Sequence, residues 1–551
     1  MKLLSTFVFV AVLATASAAC AQTGSRMPDS AAPVVEAPAG PVQGRLQDGI
    51  RVFKGIPYAQ PPVGPLRWRP TQPAPDWREL RQASEYGPAC PQPVARTRGI
   101  YAQDLGAQSE DCLTLNVWTP ANAHNAPVLV WIHGGALVAG ASKEPLYDGA
   151  RLAAEGIIVV SINYRLGVLG YLAHPELSAE SAQHVSGNYG LLDQIEALRW
   201  VQRNIGAFGG DAANVTIAGE SAGGLSVMYL MTSPPARGLF ARAIAQSAYM
   251  ISMPELREAR HGHEAAETTG LRLAQRLNAA NIAALRQMDA DDLVNGATAA
   301  GYSALGTVDV QILPGQLVDV FDHGEQAPVP ILAGFNSGEI RSLTILIPEP
   351  PASRDTYERT IRERYLDLSD VFLRLYPSGN IRESMLATTR DAMYGWTAER
   401  LVRSQTAQGA QSYLYLFDHG YPAADEAQLH AFHGSELPYM FGNMQRTPPY
   451  WPAIPSTNRE RRLADAMVRY WASFARDGRP RAANMPEWAA YGPGAAFIHF
   501  SDTPQLSQRM MPGMFALHEI ATCRRRAAGD QQWFWNVGII SPALTRQEGC
   551  P

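Results

Sequence analysis

The chain has 551 residues, 46% of them apolar, with a formal net charge of −5 and five cysteines. Charges of both signs are interspersed without a basic patch or a long charged run, which argues against nucleic acid as a partner. No metal-ligand spacing appears, no cofactor is called for, and the length allows either three domains or one large α/β unit with insertions.

Met1-Lys2, an apolar run from Leu3 to about Ala14, and Ala16-Ser17-Ala18 read as a cleaved secretory signal over residues 1–21, too short to span a membrane. The mature protein is therefore expected to be secreted or periplasmic. Residues 22–41, rich in Ala, Pro, Gly and Ser, read as a flexible leader ahead of a single α/β unit over 42–551. Small residues precede Cys20 as at lipoprotein cleavage sites, but Ser17 stands where an aliphatic residue is usual. Cleavage after Ala21 is preferred, with a lipid anchor at Cys20 as the lesser alternative. It leaves four cysteines, an even number suited to an oxidising compartment. No membrane span is expected after the signal.

Further along, Val128–Ile132, Ile157–Ile162, Val215–Ala218, Ala243–Ala248, Val329–Ala333 and Tyr413–Phe417 are apolar runs of strand length. Most are separated by stretches long enough for helices, the alternation that a mostly parallel sheet with helices on both faces produces. Residues Arg461 to Arg476 have helical periodicity, with Met467, Tyr470, Trp471 and Phe474 on a core-facing side and a stop at Asp477-Gly478.

Two of these runs lead into chemistry. The strand ending at Ile132 enters His133-Gly134-Gly135-Ala136, the composition of a loop that supplies backbone donors to an oxyanion in serine hydrolases. Val215–Ala218 enters Gly219-Glu220-Ser221-Ala222-Gly223 and a helical segment from Leu225 to Met231, the context of a nucleophile elbow. Small residues on either side let the backbone turn sharply and push the Ser221 hydroxyl outward. The helix that follows aims its N-terminal N–H groups at the same spot. A hydroxyl needs a base to take its proton and an acid to orient that base, and twelve histidines are available.

With these stand longer blocks: Phe53 to Ala59 (FKGIPYA), Glu110 to Val117 (EDCLTLNV), Asn163 to Gly170 (NYRLGVLG), Gly187 to Asp193 (GNYGLLD) and Phe208 to Asp211 (FGGD). In this order, from about Gly44 to near the C-terminus, the chain resembles the type-B carboxylesterases, the cholinesterase-like family of α/β hydrolases. The resemblance implies the α/β-hydrolase fold and hydrolysis of small-molecule carboxylic esters through an acyl-enzyme. It implies His433 as base, in the segment Ala431 to Gly442, with His430 its nearest competitor and His133 a structural member of the oxyanion loop. Glu339 is implied as the acid, although Gly338 and Ile340 flank it where the family has an acidic residue and a glycine. The order Ser221, Glu339, His433 is that of α/β hydrolases.

The implied oxyanion hole is Gly135, Ala136 and Ala222, with Ala136 standing where most relatives have a third glycine. Ser226 is implied as a hydrogen-bonding neighbour of the triad, and Arg67 with Glu110 as a salt bridge. The resemblance pairs Cys90 with Cys112 and leaves Cys523 to pair with Cys550. In the cholinesterases this loop carries a tryptophan on which a quaternary ammonium packs; residues 91–111 contain Tyr101 but no tryptophan, so the resemblance does not extend to a choline ester as preferred substrate. Tyr249, Met250, Met253 and Phe441 are candidates for the pocket or for the core. An amidase or carbamate hydrolase with the same triad, and a catalytically silent binding or adhesion relative, are the alternatives.

Overall fold

Ala126–Ile132 is apolar throughout because both faces of the sheet are covered there. Val128, Val130 and Ile132 enter one core cluster, while Leu129 and Trp131 enter the other on the opposite face. The computed structural model describes residues 32–93 and 99–551, so the signal segment, Cys20 and leader residues 22–31 lie outside it.

The strands among the described residues are β1 (Val34–Ala37), β2 (Gly40–Gln43), β3 (Arg45–Gln47), β4 (Ile50–Pro57), β5 (Arg81–Gln82), β6 (Thr114–Pro120), β7 (Ala126–Ile132), β8 (Ile158–Ile162), β9 (Gly210–Glu220), β10 (Arg242–Gln246), β11 (Ile331–Asn336), β12 (Ser412–Phe417), β13 (Ala496–Phe500) and β14 (Pro504–Gln508). Eleven of them form one sheet in the order β14-β13-β12-β11-β10-β9-β7-β8-β6-β4-β3, and β1, β2 and β5 form a small second sheet. From β8 through β13 all neighbours are parallel, and antiparallel pairs close both ends.

Helices Tyr189–Asn204, Ala222–Thr232 and Trp396–Ala407 pack into one core cluster and Asn458–Asp477 into the other. This is the α/β-hydrolase architecture, a mostly parallel sheet with helices on both faces. The last helix buries Met467, Tyr470, Trp471 and Phe474, as its periodicity predicts, and ends at Gly478 with φ of 76°.

One expectation changes. The leader was expected to run to Pro41, but Val34–Ala37 and Gly40–Gln43 pair as an antiparallel hairpin. The Trp77 indole N–H donates to Pro41 O at 3.0 Å, and Val35 and Val42 are buried. Alanine and proline content conceals this alternation. The antiparallel end strands are also weak in sequence: β4 is interrupted by a register shift between Phe53 and Ile56, and β14 is largely exposed. Among the described residues, no helix is long and apolar enough to cross a membrane.

Candidate active site

Ser221 sits between β9 and the helix Ala222–Thr232 with φ 56° and ψ −121°, a conformation that L-residues rarely hold. The turn is that tight because its glycines have no room for a side chain. A Cβ on Gly219 would lie 2.4 Å from Gly223, and one on Gly223 would lie 2.1 Å from Ile132 O. The Ser221 N–H donates to Gln246 O at 2.9 Å, tying the elbow to β10.

The loop after β7 also carries left-handed backbone: Gly135, Ala136 and Leu137 have φ of 105°, 55° and 61°. Ala136 holds a conformation suited to glycine, at a cost of order 1 kcal/mol. His133 pins this loop: Nδ1 is 2.8 Å from Gly134 O, the ring stacks on Tyr164 at 4.6 Å, and the Tyr164 hydroxyl donates to His133 O at 2.9 Å. Burial lowers the His133 pKa to about 4, so it is neutral at neutral pH. Among the described hydrogen bonds, the backbone N–H groups of Gly135, Ala136 and Ala222 have no protein acceptor. Ala222 opens its helix, where an N–H has no partner within the helix.

Glu339 follows β11 and His433 lies in the segment after β12 and the short helix Pro422–Glu426, and the two meet: His433 Nδ1 hydrogen-bonds Glu339 Oε2. The other carboxylate oxygen accepts from Ser247 Oγ at 2.7 Å and from the Asn336 N–H at 2.8 Å. Glu339 is fully buried and has hydrogen bonds on both oxygens. His430 points elsewhere, with Nδ1 2.9 Å from Asp425 and Nε2 3.2 Å from Asp418. Asp418 in turn accepts from Ser337 Oγ, and Gly338 bridges Phe432, so the loops carrying Glu339 and His433 are fastened together. His430 therefore anchors this loop, and His433 is the histidine that reaches the site.

Several groups in this region were not singled out in the sequence. His433 Nε2 lies 3.2 Å from Glu220 Oε1. Burial pushes Glu220 up to about 8 against the pull of His433, and burial with the Glu339 charge pushes Glu436 up to about 7. Burial alone lowers the His433 pKa, but Glu220 and Glu339 outweigh it and carry it up to about 9. Glu436 accepts from Gln246 Nε2 at 3.0 Å and Asn336 Nδ2 at 2.6 Å. The Tyr101 hydroxyl donates to His433 O at 2.8 Å and lies 2.7 Å from Ser342 Oγ, with its ring edge-on to Trp451. A π-helical turn at Asp391–Gly395 carries Met393 and Tyr394 into the cavity wall, the kind of local insertion often found at functional sites.

Ser221 and His433 line one cavity of about 460 Å³ together with Gly135, Ala136, Glu144, Tyr147, Tyr249, Trp451 and Trp535. Its walls are mainly apolar and aromatic and carry the carboxyl groups of Glu144 and Glu220, with no Lys or Arg among the described residues that line it. No hydrogen bond joins Ser221 Oγ to His433 among the described residues, a contact that commonly tightens only when substrate fills the site. Of the pocket candidates Tyr249 lines the cavity, whereas Met250, Met253 and Phe441 are core. Ser226 Oγ accepts from Gln194 Nε2 at 3.0 Å, and no described hydrogen bond joins it to Ser221, Glu339 or His433. The Cys90–Cys112 and Cys523–Cys550 disulfides are both present, and Arg67 meets Glu110 through two hydrogen bonds of 2.7 and 2.6 Å.

Residues 31–512 match the model of the carboxylesterase family. The chain belongs to that family. Within it, the chain is 35% identical to the para-nitrobenzyl esterase of Bacillus subtilis over 469 residues, 82% of this chain and 91% of that one. It is 35% identical to the fumonisin B1 esterase of Sphingopyxis macrogoltabida over 471 residues, 82% and 83% of the two chains. A solved para-nitrobenzyl (PNB) esterase structure superposes with a TM-score of 0.76 at 32% identity, covering 88% of this chain and 99% of that one. A Geobacillus stearothermophilus carboxylesterase gives 0.72 at the same identity and coverage. The protein is thus a serine carboxylesterase, a carboxylic ester hydrolase.

Proposed function

We propose that this carboxylesterase cleaves small to medium organic esters through an acyl-enzyme formed on Ser221, with His433 as base and Glu339 as its orienting acid. The observation that carries the reading is the juxtaposition in one cavity of the strained Ser221, the Glu339-bound His433 and the unpaired N–H groups of Gly135 and Ala136, with that of Ala222 next to Ser221. In the neutral ring Glu339 accepts from Nδ1–H, which leaves the Nε2 lone pair to take the Ser221 proton. Oγ attacks the ester carbonyl, and the N–H groups of Gly135, Ala136 and Ala222 receive the oxyanion, each such donor being worth about a hundred- to a thousandfold in rate. His433 then protonates the leaving alcohol, and water repeats the sequence on the acyl-enzyme.

The two disulfides fit the oxidising compartment that the signal reading implies, and we take the mature enzyme to be secreted or periplasmic.

The test is hydrolysis of p-nitrophenyl acetate, butyrate and octanoate by the wild type beside Ser221→Ala, with organophosphate labelling and a matched amide. Loss of turnover in the variant and labelling of Ser221 alone are expected. Undiminished turnover in folded Ser221→Ala would overturn the assignment, and faster cleavage of the amide would make the enzyme an amidase.

A further inference from the structure

The cavity does not end at the triad. Its outer wall is made by Leu343, Ile345 and Leu346, on the turn that follows Glu339, and by Trp535. Ile345 is 92% exposed and Trp535 38% exposed. Single exposed apolar side chains are ordinary on a protein surface. Here these two, with the half-buried Leu343 and Leu346, border a largely apolar cavity that holds the nucleophile, the arrangement expected of a ligand groove.

Trp535 is also held in place. Its neighbours Trp533 and Phe534 are buried, Asn536 Nδ2 donates to Gln532 O at 2.9 Å, and the Phe534 N–H donates to Asn536 Oδ1 at 3.2 Å. Arg525 in the preceding helix donates to Asn536 O at 2.9 Å, and the Cys523–Cys550 disulfide ties that helix to the chain end. A large indole on a fixed turn presents area at little cost in conformational entropy. The segment carrying it lies beyond residue 512, outside the part of the chain that matches the family model. The other wall sits on the acid loop, where the Tyr101 hydroxyl meets Ser342 Oγ, so both sides of the rim are anchored to ordered structure.

A cavity of about 460 Å³ lies within the size range of small-molecule sites and exceeds what a simple alkyl acetate or butyrate fills. We propose that Leu343, Ile345, Leu346 and Trp535 form a distal subsite for a long apolar arm of the substrate, making esters with a chain of about eight carbons or more the preferred class. The inference rests on the ester-hydrolase reading of the same cavity. The arm's chemistry is the same whether it belongs to the acyl or the alcohol part, and the two substrate series below separate these.

The experiment compares wild type, Trp535→Ala and Ile345→Ser on p-nitrophenyl acetate through decanoate, and on butyl through decyl acetate. In one of the series, kcat/KM of the wild type rises with chain length. In that series the ratio of long to short substrate falls about fivefold in each variant, mostly through KM, as for loss of part of an apolar wall. A wild type that prefers the shortest members of both series, or a ratio unchanged in both variants, overturns the subsite. Calorimetric binding of decyl acetate to Ser221→Ala and to Ser221→Ala/Trp535→Ala separates the two readings. Binding weakened by loss of Trp535, in a protein whose wild type cleaves no ester, keeps the subsite and removes the hydrolase reading. Cleavage of short esters with binding indifferent to Trp535 does the reverse.

Discussion

His433 lies between two carboxylates, and that placement sets its protonation. Glu339 at Nδ1 and Glu220 at Nε2 both favour the charged ring, which raises the pKa to about 9 against the opposing effect of burial. A base must be neutral to act, so the raised pKa moves the acid limb of kcat/KM to higher pH than the ordinary histidine value of about 6.5. In Glu220→Gln one of the two charges is gone, the imidazolium is less favoured, and the limb shifts to lower pH. A pH–rate profile of the two proteins, with unchanged or higher inflection in the variant, would contradict this account. Ala136 is a second residue with a definite consequence. Its methyl group narrows the oxyanion loop, and its φ of 55° suits glycine better. Ala136→Gly is expected to raise the rate on tert-butyl relative to n-butyl esters, and an equal ratio in both proteins sinks the idea. The gain in backbone ease is offset by about 0.4–1 kcal/mol of unfolded-state entropy, so Tm changes little.

At the scale of elements, the loop closed by Cys90 and Cys112 links stability to the site. Closing a loop of 22 residues separation contributes about 3 kcal/mol by the chain-entropy argument. The double change Cys90→Ala/Cys112→Ala is expected to lose about that much in denaturant unfolding. The same loop presents Tyr101, whose hydroxyl holds the His433 carbonyl. Tyr101→Phe keeps the ring against Trp451 but loses that hydrogen bond, so kcat falls severalfold while Tm shifts only slightly. Equal and large losses in both would mean that the tyrosine matters to folding alone. Part of this element was legible in sequence, since the resemblance paired its cysteines and matched Arg67 to Glu110. The contact between Tyr101 and the histidine loop was not, because the hydroxyl reaches across 332 positions of chain. Trp451 was missed for the same reason: its ring packs at a tilt against Phe432 and reaches the pocket from a segment with no motif of its own.

For the whole molecule, the sheet depends on buried pairs that lock its helices in register. Arg165, after β8, makes two hydrogen bonds of 2.8 Å to Asp193 on the helix Tyr189–Asn204, and both side chains are almost fully buried. Removing one partner of such a pair leaves an uncompensated charge, so Arg165→Met is expected to cost about 3–5 kcal/mol. Equilibrium unfolding measures it, and a loss under 1 kcal/mol would show that the pair is not a major contributor. By itself the sequence determined the parallel centre of the sheet, the elbow at Ser221 and the glycine loop after β7. Those features are local: an unbroken apolar run specifies a covered strand, and Gly219 and Gly223 specify a turn that no larger residue fits. Resemblance carried Glu339 and His433, since nothing near either residue dictates its partner. Only the tertiary structure brought Glu220, Glu436 and Tyr101 around His433, turned His430 away to Asp418, and set Trp535 at the cavity mouth. Electrostatic coupling and cavity shape depend on distances of a few ångströms between segments hundreds of residues apart, and such distances exist only once the chain has packed.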